Sequence, residues 1–150
     1  MNNIKIIQAK TKELLQKAYD LRFEVFVKEQ NVLPEIERDE YDRIATHVVA
    51  IDEKSGECIA CGRLLIKDGI AKIGRVAVKK SYRGKGYGKK LCIKLIDIAR
   101  KSGINDIRLN SQLDVVEFYK KLGFEEYGDI FMEANIKHIA MKLPNSSQLN

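Results

Sequence analysis

Apolar residues recur along this chain with two different periods, and these periods predict a sheet of strands interleaved with helices. Alternation of apolar and polar positions predicts strands at 4–9, 45–52, 57–66, Ile70–Val78, 106–111, 124–127 and 138–142. Helical spacing predicts helices over 12–28, from the end of the 84–88 loop to Gly103, and between 114 and 123, with a further short helix after Pro34.

The order of these elements predicts an α+β fold. A helix joins the strand Ile70–Val78 to the strand at 106–111, so the two should lie parallel in one βαβ unit. We therefore expect a mixed, mostly antiparallel sheet of six to seven strands, flanked by about four helices, with a parallel pair at its centre. The chain has 150 residues, enough for one domain with a sizeable core. We place that domain at 1–144 and expect the polar tail at 145–150 to be disordered.

A basic, glycine-rich loop joins the strand Ile70–Val78 to the helix that follows. Glycine stands at every second position from 84 to 88, and lysines lie within and on both sides of the loop. A strand, a glycine loop and a helix N-terminus together point backbone N–H groups at an anion. The P-loop pattern ends in Gly-Lys-Ser/Thr and is excluded because Lys90 follows Gly88-Lys89. The glycine spacing excludes the dinucleotide fingerprint. The loop predicts a phosphate-bearing ligand, with a basic surface turn as the alternative.

Composition and charge narrow the classes of protein. No run of 18 apolar residues exists and the N-terminus lacks an apolar signal region, so we expect a cytoplasmic protein without membrane contact. The net charge of +6 is compatible with a nucleic-acid binder, but the densest basic cluster coincides with the glycine loop. Cys58 and Cys61 lie on a predicted strand with no second ligand pair, so we expect neither a disulfide nor a metal site.

Two motifs in these settings resemble the GNAT N-acetyltransferase superfamily. Arg83-x-x-Gly86-x-Gly88 is similar to its acyl-CoA loop, and the segment 118–124, FYKKLGF, looks like its F-Y-x-x-x-G-F element. The segments 21–47 and 136–141 further resemble the ElaA-like subgroup, although Ser111 stands where that subgroup usually has alanine. The resemblance covers nearly the whole chain and implies a GNAT fold.

The resemblance implies acetyl-CoA, or another acyl-CoA, as co-substrate. The main chain of the loop would hold the pyrophosphate, with charge from Arg83 and Lys85, and the main chain of the preceding strand would pair with the pantetheine arm. Asn110 would hydrogen-bond to that arm or to the substrate. The expected cofactor-binding residues are Val76, Ala77, Val78, Arg83, Gly84, Lys85, Gly86, Tyr87, Gly88, Asn110, Phe118 and Tyr119.

The implied reaction is direct acyl transfer to an amine of a small molecule or peptide. Tyr119 stands where the superfamily carries the general acid that protonates the CoA thiolate. A base must also neutralise the amine, whose pKa of about 10 makes it cationic at neutral pH. The candidate bases are Glu37, Asp39, Asp42, His47 and His138.

The sequence leaves open the role of one acidic segment and two other functions for the protein. The acidic run at 35–42 is either a solvated face or an acidic wall for a cationic substrate. The whole protein could bind CoA as a sensor without turnover, or could use its basic loop to bind nucleic acid. We expect no metal and no nucleic-acid partner, and either a monomer or a homodimer.

Overall fold

The computed structural model describes residues 3–144 and folds them into one sheet with helices on both faces. The strands are β1 (Ile4–Gln8), β2 (Thr46–Asp52), β3 (Cys58–Lys67), β4 (Ile70–Val78), β5 (Asp106–Gln112), β6 (Glu125–Glu133) and β7 (Ile136–Leu143). The α-helices are α1 (Lys12–Arg22), α2 (Pro34–Glu37), α3 (Tyr87–Lys101) and α4 (Val116–Lys121). The predicted tail at 145–150 lies outside the described residues.

The seven strands follow the order β1-β2-β3-β4-β5-β7-β6, and β4 and β5 are the parallel pair. All other neighbours in the described sheet are antiparallel. The predicted mixed α+β sheet with a central parallel pair is therefore confirmed. The last two strands are longer than predicted and pair with each other as an antiparallel hairpin.

Each face of the sheet carries its own apolar core. On one face α3 packs through Leu91 and Leu95, both fully buried, and burial of each contributes about 1.5–3 kcal/mol. The helix lies close to β3 because Gly62 has no side chain: a Cβ there would be 2.9 Å from Leu95 Cδ1. On the other face α1 covers a smaller core that includes Val49 and Cys61.

The predicted helix over 12–28 has two parts. α1 ends at Arg22, and the chain continues as a π-helical segment, Phe23–Glu29. The wider turns appear in the hydrogen bond from Gln30 N to Val25 O, at 3.1 Å, which spans five residues. This segment carries Glu29 and Gln30 to the centre of the sheet, where β4 and β5 separate.

β4 and β5 pair along only half of their length. Ile70–Ile73 pairs with 106–109, after which β5 continues alongside β7 and β4 has no partner on that side within the described sheet. A bulge in β4 adds to the separation, because Arg75 and Val76 together face Gly62 of β3. Arg75 adopts φ 53°, which turns the strand at that point. The result is a gap in the middle of the sheet.

Candidate active site

The gap between β4 and β5 opens into a cleft of about 930 Å³. It runs from the glycine loop and α4 on one face of the sheet to the hairpin of β6 and β7 on the other. The lining residues include Gly84, Gly86, Tyr87, Gly88, Val76, Ala77, Val78, Asn110, Phe118, Tyr119, Glu37 and Asp39, all of which the sequence predicted for the site. Arg83 also lines the cleft, whereas Lys85 and His47 do not.

The glycine loop lines one end of this cleft. Gly84 and Gly86 have φ of 77° and 87°, in the left-handed region that favours glycine. Gly86 is the N-cap of α3, and no side chain caps the start of this helix. A Cβ at either glycine would meet no atom within 4 Å. The loop is therefore an open cradle with the positive end of a helix at its base.

Gly88 has a different role from the other loop glycines. A Cβ at this position would lie 3.2 Å from Val78 Cγ2 and 3.4 Å from Phe118 Cζ. The missing side chain lets the start of α3 pack closely on β4 and on the ring of Phe118. Gly88 therefore sets the distance between the cradle and the wall of the cleft.

The basic side chains of the loop do not all face the cleft as free charges. Both terminal nitrogens of Arg83 donate to Glu29, at 2.8 and 2.9 Å, and its Nε donates to Val78 O at 2.9 Å. The pair holds the pKa of Glu29 below its usual range, chiefly through the hydrogen bond from Arg83. Lys85 places Nζ over the Tyr82 ring, 5.6 Å from its centre. The positive charge that we expected Arg83 to offer the cofactor is thus paired with Glu29. The same ion pair connects the loop to the π-helical segment.

The second half of β4 provides a main-chain wall. Val76 and Val78 pack their side chains against the larger core, and Ala77 packs into the smaller one. Their main-chain groups on the side of β5 have no strand partner in the described sheet. An extended ligand with amide groups can pair with this edge as an additional strand would.

Tyr119 lies at the point where α4 meets the cleft. It is 9% exposed, and its ring contacts Phe118 and Phe124 with centroid separations of 5.0 and 6.0 Å. Within residues 3–144 its hydroxyl has no hydrogen-bond partner. Burial raises the pKa of Tyr119, so the phenol keeps its proton throughout the neutral range. The hydroxyl is therefore a proton donor and not a base.

In the acidic run at 35–42, the carboxylates of Glu37, Asp39 and Asp42 form neither a solvated face nor a free acidic wall. Glu37 and Asp42 are each 5% exposed and share the guanidinium of Arg22, with contacts of 2.9 Å to Glu37 and 2.8 Å to Asp42. Arg63 donates to Asp39 at 2.7 Å and to Asp42 at 2.9 Å. Both readings are therefore corrected for these three carboxylates, which are the anionic half of an ion-pair network, whereas Glu35 and Glu40 are exposed.

Arg75 completes the network beside the cleft. Its Nε lies 3.2 Å from Glu37 Oε2, and its Nη2 lies 3.2 Å from Asp39 Oδ2. Three arginines therefore balance the three carboxylates Glu37, Asp39 and Asp42. The hydrogen bond from Arg63 holds the pKa of Asp39 below its usual value. Glu37 and Asp39 reach the cleft, but each is occupied by arginine and is a weak candidate for a base.

His47 lies behind this network. It is 5% exposed, its Nε2 donates to the carbonyl of Asp42 at 2.8 Å, and its ring packs edge-on against Tyr19. Burial lowers the pKa of His47, so the ring is neutral. We therefore correct its candidate role: the structure gives His47 a position in the packing beneath the cleft, out of reach of a ligand there.

Two polar groups that the sequence did not single out reach the cleft. Gln30, from the π-helical segment, accepts a hydrogen bond from Gln112 Nε2 at 2.9 Å, across the gap. Glu133, at the end of β6, accepts from Asn110 at 3.3 Å and lies 3.5 Å from His138 Nε2. His138 was one of five candidate bases, and the pairing of β5 with β7 brings it to the cleft. No local motif marks Glu133, because its neighbours come from other strands.

Neither a metal centre nor a membrane span is found in the part of the chain that the structure describes. No three His, Cys, Asp or Glu side chains there come close enough together to hold a metal ion. No helix of residues 3–144 has the length and apolar character to cross a membrane.

Comparisons with known proteins identify the family of this chain. The model of the acetyltransferase (GNAT) family matches residues 14–124. The uncharacterized N-acetyltransferase YjcF of Bacillus subtilis (strain 168) is 38% identical over 139 residues, which cover 92% of this chain and 98% of YjcF.

Two crystal structures share the fold over nearly their full length. An acyl-CoA N-acyltransferase from Pseudomonas aeruginosa superposes with a TM-score of 0.81 at 27% identity, covering 95% of this chain and 99% of that one. Escherichia coli ElaA gives a TM-score of 0.81 at 26% identity, with the same coverage. The predicted GNAT fold is thereby confirmed, and this chain belongs to the acetyltransferase (GNAT) family of transferases.

Proposed function

We propose that this protein transfers an acyl group, most simply acetyl, from acyl-CoA directly to an amine of a small molecule or peptide. The observation that carries the proposal is the continuity of one cleft from the glycine cradle, past Tyr119, to the opposite face of the sheet. A cofactor and an acceptor can enter such a cleft from opposite faces and meet at the gap between β4 and β5.

The residues of the cradle fit the phosphate end of CoA. The main chain at Gly84 and Gly86 borders open space, has the N-terminus of α3 behind it, and so suits a pyrophosphate. The edge of β4 from Val76 to Val78, which has no strand partner on the side of β5 in the described sheet, suits the amide groups of the pantetheine arm. When bound, acyl-CoA supplies the acyl group as an activated thioester.

Tyr119 would hold the proton that the departing thiolate requires. Its raised pKa keeps the hydroxyl protonated at neutral pH, and its position on α4 puts it at the cleft without a competing partner among the described residues. A general acid of this kind typically contributes 10²–10⁴-fold in rate.

The acceptor amine must also lose a proton before it can attack. With a pKa of about 10, keeping it neutral at pH 7 costs about 4 kcal/mol. A base in the cleft, or the electrostatics of the site, has to supply this free energy.

Direct transfer is favoured over a covalent cysteine intermediate. Burial raises the pKa of Cys58 to about 11 and that of Cys92 to about 12, and it raises the pKa of Cys61 as well. All three thiols are buried, and none of them lines the cleft. They are protonated at neutral pH and are poor nucleophiles.

Isothermal titration with acetyl-CoA, followed by measurement of thiol release with a panel of amines, tests this function. We expect saturable binding of acetyl-CoA, and thiol release that depends on one or more amines. Binding without amine-dependent release would replace the transferase reaction with a CoA sensor. Absence of binding would reject the cofactor assignment.

A further inference from the structure

A cluster of polar side chains lies at the end of the cleft opposite to Tyr119. Asn110 on β5, Glu133 on β6 and His138 on β7 all line the cleft. Asn110 Nδ2 donates to Glu133 Oε1 at 3.3 Å, and Glu133 Oε2 lies 3.5 Å from His138 Nε2. Three neighbouring strands thus contribute one cluster of polar side chains.

Strand register places this cluster on the opposite face of the sheet from α4. His138 pairs with Gln112, and its neighbour Ile139 belongs to the core under α3 and α4. Side chains alternate along a strand, so His138 and Gln112 point to the other face. The hydrogen bond from Gln112 to Gln30 of the π-helical segment agrees with this direction. The cluster therefore faces the end of the cleft that the glycine cradle leaves free.

Glu133 differs from Glu37 and Asp39 because no arginine neutralises it among the described residues. Glu37 and Asp39 are bound by Arg22, Arg63 and Arg75. Glu133, in contrast, has no lysine or arginine partner in the described residues, and 46% of its side chain is exposed. It can therefore accept a cation from solvent without first losing an ion pair.

The hydrogen bond of His138 to the main chain determines which ring nitrogen carries the hydrogen. Nδ1 lies 2.7 Å from the carbonyl of Ile136, which can only accept, so Nδ1 carries the hydrogen. In the neutral ring Nε2 therefore holds a lone pair, and this nitrogen is directed toward Glu133. Stacking on Phe131, with ring centroids 5.9 Å apart, holds the imidazole in place. His138 is thus a fixed proton acceptor beside an exposed carboxylate.

We propose that Glu133 binds the acceptor as a primary ammonium ion and that His138 Nε2 is the general base that removes its proton. In this step one N–H bond of the ammonium breaks, an Nε2–H bond forms, and the nitrogen gains the lone pair that attacks the thioester. The carboxylate of Glu133 stabilises the imidazolium that results, and Asn110 holds Glu133 in position. The proposal rests on the transferase function above and adds the class of acceptor, a cationic primary amine, and the identity of the base.

Binding of an ammonium ion tests the site without turnover. The chain has two histidines, so the ring signals of His138 can be followed by NMR with His47 as an internal control. The nitrogen shifts should show hydrogen on Nδ1 of His138, and n-butylammonium chloride should perturb its signals but not those of His47. Neutral n-butanol should have no effect, and Glu133→Gln should abolish the perturbation. Hydrogen on Nε2 of neutral His138, or an equal response to n-butanol, would overturn the proposal.

Steady-state kinetics of the His138→Gln variant provide a second test of the proposal. With an amine that wild type acetylates, His138→Gln should lower kcat at pH 7 by about 10²-fold. The deficit should shrink as the pH approaches the pKa of the amine, about 10, because solvent then removes the proton. The matched control Glu125→Gln, an exposed carboxylate on the same strand as Glu133, should leave both readouts unchanged.

The outcomes of the two arms are separable. An unchanged kcat in His138→Gln, or a deficit of equal depth at every pH, would overturn the role of the base. If wild type acetylates no amine, the transferase proposal fails in this assay, and the ammonium titration alone decides whether the site exists.

Discussion

The glycine cradle yields a prediction that separates ligand binding from folding. Gly86→Val places a branched side chain in the open space before α3, where the cofactor phosphates are proposed to bind. The Cβ meets no protein atom within 4 Å, so the cost to folding is the strain of φ 87°, about 1–2 kcal/mol for a non-glycine residue. The variant should therefore fold but lose its anion site.

The loss of affinity follows from the donors that the side chain would block. A hydrogen bond from a backbone N–H to a charged phosphate contributes about 1.5–3 kcal/mol. Loss of two such bonds amounts to about 3–6 kcal/mol, or roughly 10²–10⁴-fold in the Kd of acetyl-CoA. Isothermal titration measures this change, and urea unfolding measures the strain.

Gly69→Val is the matched control for this experiment. Gly69 has φ 76°, and a Cβ there also meets nothing within 4 Å, but it lies in the turn between β3 and β4 and does not line the cleft. The control should show a similar loss of stability with no change in the affinity for acetyl-CoA. If Gly86→Val binds acetyl-CoA within about threefold of wild type, the cradle is not the phosphate site.

Three further predictions concern Tyr119 and the ion-pair network. Tyr119→Phe should lower kcat by about 10²-fold or more with the Kd of acetyl-CoA nearly unchanged; equal kcat in a thiol-release assay would remove it as the acid. Asp42→Asn should destabilise the fold by about 3–5 kcal/mol in urea unfolding, because Arg22 and Arg63 lose a buried partner, whereas Asp97→Asn, which breaks the exposed pair with Lys101, should cost under 1 kcal/mol. The folded state lowers the pKa of Asp39 and Asp42 below 3.8, so the unfolded chain binds more protons at acid pH. The free energy of unfolding should hold from pH 7 to about 5 and fall below about pH 4, and Asp42→Asn should weaken that fall; a flat profile down to pH 2 would contradict the network.

The features that the sequence predicted well are encoded locally. The loop that joins β4 to α3 is short, and its glycines at 84 and 86 are left-handed. The spacing of these glycines in the sequence is therefore enough to predict an anion-binding loop. Tyr119 sits on a short helix whose apolar spacing is regular. The parallel pairing of β4 and β5 followed from the helix that connects them.

The features that the sequence did not predict depend on pairs that are distant in the chain. In the sequence, the carboxylates at 37, 39 and 42 have the pattern of a surface run. Their arginine partners Arg22, Arg63 and Arg75 lie on three separate elements, so the ion pairs exist only in the folded chain. The contact of Glu133 with His138 depends on the register of the last hairpin, and a bulge between residues 127 and 131 shifts that register. The π-helical segment has nearly the apolar spacing of an α-helix, so periodicity alone does not distinguish them.

The most direct test of acyl transfer follows the acyl group itself. The protein is incubated with acetyl-CoA labelled with ¹³C in the acetyl group and with the amines that promote thiol release, and the products are analysed by mass spectrometry. Direct transfer through the cleft predicts the label in an amide of the acceptor, in amounts equal to the thiol released, and no labelled protein. Thiol release without a labelled amide, or label retained on a cysteine of the protein, would contradict the account.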